Sequence, residues 1–307
     1  MKKCFVIYNY QSGKSKSSKY IEKIYSILEK YGYETTLIYT KYKKHAEDIV
    51  YEIDEADLVI SAGGDGTYNE VMTGNLKRKK PLLIGNLPLG TTNDVGYMYG
   101  YRKNLMKNLE LLLKGAVKKV DVCMIDGKLF TYVAGFGNFL NVAYDTPRHL
   151  KKKYGKLGYL IFGLQAVRDD LKFFDATYKV NGKTCTGKYS FIFITNSDRV
   201  AGVNDLYEDV KLNDGKFEVV LCNLQSKKEL LKSIMFLPIK HIDQLPGFTF
   251  YQTDKFEISF ENMHDTPWCI DGEKHDSKNN SYKFEVIENI ELLVPVKNTD
   301  DLFIKKG

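Results

Sequence analysis

Asp57-Leu-Val-Ile-Ser-Ala-Gly-Gly-Asp-Gly-Thr-Tyr-Asn-Glu70 decides the fold of this chain. Its opening, Asp57-Leu-Val-Ile60, is an apolar run that reads as a buried strand. Glu70-Val-Met72 continues as helix, and Thr67 and Glu70 have capping-box spacing, so the helix is expected to begin at Thr67. A strand therefore enters a glycine turn that opens at a helix N-terminus. Such a turn attracts anions, because its N–H groups lack partners and the helix dipole points its positive end there. Gly63, Gly64 and Gly66 let the backbone approach a phosphate closely. Asp65 places a carboxylate in the same turn, where it would repel a phosphate unless a cation lay between them. Asp65 is therefore read as a magnesium partner. Two familiar fingerprints fail. A dinucleotide GxGxxG starting at Gly64 and Gly66 meets Asn69 at its third glycine, and a Walker loop ending in Gly13-Lys14-Ser15 meets Tyr8 where its first glycine belongs. The plain alternative is a glycine turn before a capped helix with nothing bound. It leaves four residue types coinciding without a reason.

Outward from this stretch, the order is β-α-β-α. Cys4–Tyr8 is strand one, and Asn9-Tyr-Gln-Ser-Gly13 leads into a helix with Ile21, Ile24, Leu28 and Tyr31 on one stripe. Tyr33–Thr40 is strand two, His45–Ile53 is helical, Leu58–Ala62 is strand three and Pro81–Gly85 is strand four. Short connections in this order imply a parallel sheet with helices on both faces, whose ligands sit beyond the carboxyl ends of the strands. Asn9–Gly13, Thr40, Gly63–Thr67 and Asn86–Asp94 all fall at those ends. In the last of these, Thr91, Thr92, Asn93 and Asp94 supply short polar groups before another helix. One of them suffices as an N-cap, and the cluster's place favours a ligand role.

From Lys118 the pattern changes. Val120–Ile125 and Leu129–Ala134 flank Asp126-Gly127, a hairpin signal. Lys179–Lys183 and Leu212–Lys216 repeat the theme around Ser190–Asn196 and Phe217–Leu221. Phe248–Tyr251, Phe256–Phe260 and Ile290–Val294 complete an antiparallel set. The expected domains are 1–121, joined by a returning segment at about 296–307, and a β-rich domain over 122–295. Two helices interrupt the second domain, His149–Lys172 and Lys227–Phe236. The first opens on the basic run Arg148–Lys156, which is either a solvated face or a contact with anionic lipid. Asp271-Gly272-Glu273 follows the single tryptophan, Trp268. It is either a hairpin turn or a pair of carboxylates suited to general-base work. His264 and His275 make no zinc pattern with their neighbours.

Composition bounds the function. The 307 residues are 43% hydrophobic and 27% charged, an ordinary globular balance with ample core. The net charge of +6 comes mostly from lysine and is too mild to make nucleic acid the first inference. Five scattered cysteines without a CxxC fit reduced thiols in a cytosol. The apolar part of Met1–Tyr8 is too short for a signal peptide and reads as a strand, and no run reaches transmembrane length.

Together these motifs resemble the soluble bacterial diacylglycerol kinase family, which is related to sphingosine kinases and to the diacylglycerol kinase catalytic domain. Asn9-Tyr-Gln-Ser-Gly13 resembles its Asn-Pro-x-Ser-Gly loop, with Tyr10 in place of the proline. Gly63-Gly-Asp-Gly-Thr67, Pro88-Leu-Gly-Thr-x-Asn-Asp94, Leu212-x-Asp-Gly215 and Asp271-Gly-Glu273 also fit, in family order over nearly the whole chain. GGDGT alone is shared with NAD kinases. The segment Asn196–Asp209 lacks the expected glycine-rich form.

The resemblance implies an α/β ATP-binding domain, a β-sandwich-like domain and ATP in a cleft between them. It implies a chain end that returns to the first domain, for which Phe303 and Ile304 are the candidates. By position, Asn9, Ser12, Gly13, Thr40, Gly63, Gly64, Asp65, Gly66, Thr67, Asn69, Glu70, Thr92 and Asn93 would hold ATP. Asp65 and Asp94 would join a magnesium–water network. Asp214, with the carbonyls of Lys211 and Lys216, would hold a second, structural Mg2+. Asp271, or Glu273 beside it, would take the proton from a lipid hydroxyl. The expected activity is ATP- and Mg-dependent phosphorylation of a lipid alcohol, diacylglycerol foremost, by a cytoplasmic enzyme transiently at the inner face of the plasma membrane. A homodimer is compatible with this. Competing readings are a kinase for a sphingoid base, another lipid alcohol or a soluble metabolite, and a non-catalytic nucleotide sensor. If the basic run meets lipid, replacing Lys151–Lys153 with Gln weakens sedimentation with anionic vesicles, most at low salt. Unchanged partitioning returns the run to solvent.

Overall fold

The computed structural model describes residues 1–10, 18–102, 104–138, 171–197, 199–200, 206–236, 240–262, 264–276, 279–296 and 299–304. Ser12, Gly13, the run Arg148–Lys156 and most of the helix expected over His149–Lys172 lie outside the described residues. The chain divides into two compact units. One is Met1–Val120 with Glu288–Gly307, and the other is Asp121–Ile287.

In the first unit, β1 (Lys2–Tyr8), β2 (Tyr33–Tyr39), β3 (Leu58–Gly63) and β4 (Ile84–Pro88) form a parallel sheet in the order β2-β1-β3-β4. All six residues of β3 are buried, as the unbroken apolar run requires of a strand covered on both faces. Strand four begins three residues later than expected, because Pro81–Leu83 are not strand. The helices are α1 (Ser18–Lys30), α2 (His45–Glu52), α3 (Asp65–Leu76), α4 (Asp94–Met98) and α5 (Leu105–Leu113). The chain end returns here. Leu292 and Leu293 pair in parallel with Ile84 and Gly85, and Phe303 is buried with the Lys118 ammonium 5.5 Å from its ring centre.

α3 starts at Asp65, preceded by Gly64, with no side-chain cap. This corrects the capping-box reading. Thr67 and Glu70 both lie inside the helix and face other partners. Behind α3, buried Asn75 clamps the approach to β4. Its amide donates to the Leu82 carbonyl at 3.0 Å and accepts from the Leu82 N–H at 2.7 Å.

In the second unit, the end of β5 (Ala116–Ile125, of which Ala116–Val120 belong to the first unit) and β6 (Lys128–Phe130) make the expected hairpin, with Asp126 at φ 46° and Gly127 at φ 77°. β8 (Phe174–Val180) pairs antiparallel with β9 (Lys183–Tyr189) and with β13 (Lys255–Phe260), which pairs in turn with the start of β16 (Ser281–Val294). A separate six-stranded antiparallel sheet holds β7 (Val133–Gly137), β10 (Phe191–Thr195), β11 (Phe217–Cys222), β12 (Phe248–Thr253), β14 (Trp268–Ile270) and β15 (Glu273–His275). Phe136, Ile192, Ile194, Phe217 and Trp268 from this sheet share one core with Tyr178, Phe256, Ile258 and Phe284. α6 is Lys227–Phe236. Leu212–Lys216 is not a hairpin. It is a bend before β11, whose paired strands are β10 and β12.

Asn75→Leu strands the Leu82 N–H and carbonyl in an apolar interior, so a loss of about 2–4 kcal/mol in urea unfolding is expected.

Candidate active site

The first unit gathers its polar strand ends around one close approach. Gly64 precedes α3 in an extended conformation, and Gly90 follows β4. A Cβ built on Gly90 would lie 2.7 Å from Gly64 Cα and 2.7 Å from Asn93 Oδ1. Gly90 therefore has to be glycine for the two backbones to meet. The Leu89 N–H donates to the Gly63 carbonyl at 2.6 Å beside this point. Asp65 braces the same two loops, its carboxylate accepting from Asp94 N at 3.0 Å and Val95 N at 3.2 Å at the start of α4. Negative charge at a helix start is favourable, which fixes Asp65 by charge as well as geometry. Asn93 takes a left-handed φ of 50° and its amide donates to the Gly90 carbonyl at 2.8 Å.

β1 supplies a third loop. The Asn9 N–H donates to the Ala62 carbonyl, and its side-chain amide donates to Thr67 Oγ1 at 2.9 Å. Thr67 is thus buried and tied to Asn9, while Gly66 is exposed and Gly64 and Asp65 are half-buried. Thr40, at the end of β2, is held by its N–H on the Tyr8 carbonyl at 3.0 Å. Asn9, Thr40, Gly63, Gly64, Asp65, Gly66, Thr67, Thr92, Asn93 and Asp94 therefore share the carboxyl ends of four adjacent strands. Asn69 and Glu70 sit farther along α3. Asn69 accepts from Thr73 within the helix, and Glu70 accepts from Lys44 N at 2.8 Å and Ala46 N at 3.3 Å.

The second unit carries the carboxylate pair. Asp271 and Gly272, at φ 49° and 81°, form the two-residue turn between β14 and β15. The Asp271 carboxylate accepts four hydrogen bonds. Thr131 N and Thr131 Oγ1 donate to Oδ2 at 2.7 and 2.9 Å, and Tyr132 N and Val133 N donate to Oδ1 at 3.1 and 3.2 Å. Burial pushes its carboxyl above the ordinary aspartate range, and these donors pull part of the way back. Glu273 is exposed at the start of β15. The turn is thus a hairpin and a fixed carboxylate at once. His264 is half-buried, its ring centre 4.7 Å from that of Phe136 and 4.8 Å from that of Phe260.

The Leu212–Lys216 bend is held by a residue the sequence reading passed over. Buried Asp121 accepts from Gly215 N at 2.6 Å and donates its own N–H to the Leu212 carbonyl at 2.7 Å. The Asn196 amide donates to the Asp121 carbonyl. The available signal was an aspartate inside the apolar strand Val120–Ile125. Within the bend, Asp214 accepts from Lys216 N at 3.0 Å. Burial raises its pKa, and the Lys216 N–H and ammonium oppose this. A nearby cation would favour the ionised form, and the bend offers a carboxylate with carbonyl oxygens, the donor type magnesium takes. Among the described residues no cluster of three or more His, Cys, Asp or Glu forms a metal cage.

Residues 3–125 match the diacylglycerol kinase catalytic domain. A diacylglycerol kinase of Staphylococcus aureus (strain bovine RF122 / ET3-1) is 30% identical over 277 residues, covering 89% of this chain and 86% of that protein. One from Bacillus subtilis (strain 168) is 30% identical over 247 residues, covering 79% and 81%. The chain belongs to the diacylglycerol kinase family. A crystal structure from Bacillus anthracis str. Sterne superposes on it with a TM-score of 0.80 at 21% identity, covering 95% of each chain. A diacylglycerol kinase structure from the same strain gives 0.74 at 18% identity, covering 95% and 97%. These two likenesses show the fold, an α/β unit with a separate antiparallel unit. Membership makes this diacylglycerol kinase family protein an enzyme of the lipid-kinase class, and kinases of this family use ATP.

Gly64 has room for a methyl group within the protein, its nearest contact being Gly90 Cα at 3.4 Å, and its φ of −87° suits any residue. Gly64→Ala should therefore leave stability unchanged or raise it by up to about 1 kcal/mol. If the turn receives phosphate as the family resemblance implies, ATP affinity measured by calorimetry should fall, because the added methyl group would occupy the ligand's approach.

Proposed function

We propose that this protein transfers the γ-phosphoryl group of ATP to the hydroxyl of a lipid alcohol, with diacylglycerol as acceptor and phosphatidic acid as product. The observation that supports the proposal is the close approach of Gly64 and Gly90, which leaves a glycine turn that a phosphate could approach, tied by Asp65 to the start of α4 and by Thr67 to Asn9. Rigidity matters because phosphoryl transfer is catalysed chiefly by positioning and charge neutralisation. Gly63–Thr67 would receive the phosphates, with Asn9, Ser12, Gly13, Thr40, Thr92 and Asn93 around them. Bound Mg2+ would neutralise phosphate charge, with Asp65 and Asp94 beside it and Asp214 holding a second ion.

On the acceptor side, an alkyl hydroxyl is a weak acid and needs a base within hydrogen-bond reach. Asp271 fits, because burial makes it a stronger base than an ordinary aspartate while four donors fix its orientation. Glu273, two residues on, is the other candidate. Among the described residues no helix is long and apolar enough to cross a membrane. We place the enzyme in the cytoplasm, meeting its substrate at the inner face of the plasma membrane, with Arg148–Lys156 as the contact.

The proposal is tested with radiolabelled ATP and a panel of lipid alcohols in mixed micelles, the products being read by mass spectrometry. Label in phosphatidic acid is expected. Intact, ATP-binding protein that labels only a water-soluble acceptor overturns it.

Asp271→Asn should lower kcat by roughly 10²- to 10⁴-fold with ATP affinity retained. In the unaltered enzyme, turnover should fall on acidification through a value above the ordinary aspartate range, since Asp271 must be ionised to accept the proton. The same shift has the opposite sign for stability. The folded state binds the proton more tightly than the unfolded chain, so this contribution is present at low pH and lost as pH rises through the raised value.

A further inference from the structure

The connection from β2 to α2 is held in place along its whole length. Thr40 N donates to the Tyr8 carbonyl, and Lys41 N donates to His45 Nδ1 at 3.0 Å. Lys44, at φ 72°, donates its N–H to Glu70 on α3, as does Ala46. The Tyr42 ring lies on the His45 ring, centres 4.4 Å apart, and its hydroxyl donates to Asp48 Oδ2 at 3.1 Å. A tyrosine fixed at its hydroxyl and on one face is nevertheless 59% exposed. One residue before Thr40, Tyr39 is also exposed and meets the rings of Tyr8 at 5.7 Å and Tyr10 at 6.4 Å. Exposed Lys41 and Lys43 flank Tyr42.

This loop stands two strands from the glycine turn. β1 lies between β2 and β3, with Tyr8 opposite both Tyr39 and Ala62. Adjacent strands are about 4.8 Å apart, so the two ends are separated by roughly 10 Å along the same sheet edge. A ribose and its phosphates bridge a gap of that order. Ring stacking on the exposed part of Tyr42 suits a flat heterocycle, and the two lysines suit its anionic tail.

We propose that Tyr42, oriented by His45 and Asp48, is the stacking platform for the nucleobase of ATP, with the Tyr39–Tyr10 pair as its neighbouring wall. The proposal rests on the ATP-dependent reading above. Glu70 is then a positioning residue. It joins the phosphate-side helix to the base-side loop and does not itself touch nucleotide. Stacking reads a ring face, which adenine and guanine share, so the platform contributes alike to both purines.

Calorimetric titration of the full chain with ATP, GTP and tripolyphosphate in magnesium buffer tests this. Tyr42→Ala should weaken ATP and GTP to a similar degree, roughly tenfold, and leave tripolyphosphate unchanged. Tyr42→Phe, which keeps the ring, should recover most of the loss. Unchanged ATP affinity in Tyr42→Ala overturns the proposal. So does equal weakening of ATP and tripolyphosphate, which would mark the loop as a support for the phosphate turn. A loss confined to sedimentation with phosphatidylglycerol vesicles overturns it as well and makes Tyr42 a lipid-facing residue. Failure of the unaltered protein to bind ATP would instead sink the kinase reading beneath it.

Discussion

The close approach of Gly64 to Gly90 is the constraint on which the loops at the carboxyl end of the first unit's sheet depend. A side chain at Gly90 would meet both Gly64 Cα and Asn93 Oδ1 within 2.7 Å. Close packing leaves no space for that atom, so the β3 and β4 loops would have to separate. Separation would also break the brace from Asp65 to the start of α4. Hydrogen bonds to a charged acceptor contribute about 1.5–3 kcal/mol each, enough to hold two short loops against their own conformational freedom.

Carboxylates do the same work elsewhere. Glu70 gathers the N–H groups of Lys44 and Ala46, Asp121 gathers that of Gly215, and Asp271 gathers those of Thr131, Tyr132 and Val133. In each case a loop or strand end leaves backbone donors without ladder partners, and an acid from a distant part of the chain satisfies them. The sequence separations, from 24 residues at Glu70 to 140 at Asp271, make these contacts tertiary staples. Each of these three acids is therefore a structural acceptor first. Any chemistry it performs is added to that role, and its orientation is already fixed when the reaction begins.

This double role explains what could be read from the residues. The parallel sheet was legible because its buried strands are unbroken apolar runs with short connections, and the hairpins at Asp126-Gly127 and Asn181-Gly182 because positive φ favours those residues. Thr67 and Glu70 misled because a capping-box spacing is a local pattern, while their partners, Asn9 and the Lys44–Ala46 backbone, lie 58 and about 25 residues away in sequence. Leu212–Lys216 misled similarly. Asn-Asp-Gly signals a tight turn between adjacent strand ends, but β10 ends at Thr195 and pairs with β11 across a longer connection, in which the Asn-Asp-Gly bend is held by Asp121. Asp121 itself is one acid among 39, and only its burial in an apolar strand distinguishes it.

Asp271 shows why the sequence left two roles open at that turn. Aspartate before glycine is what a two-residue hairpin with both φ values positive selects, so turn chemistry alone accounts for the residue. The structure adds that the carboxylate points back at Thr131–Val133 and is buried enough to raise its pKa. A surface turn needs neither feature, since water would satisfy an exposed carboxylate equally well. Desolvation favours the protonated form of the group, and the four donors favour the ionised form. The four donors and the burial act on one carboxylate in opposite senses, and the donors fix its orientation.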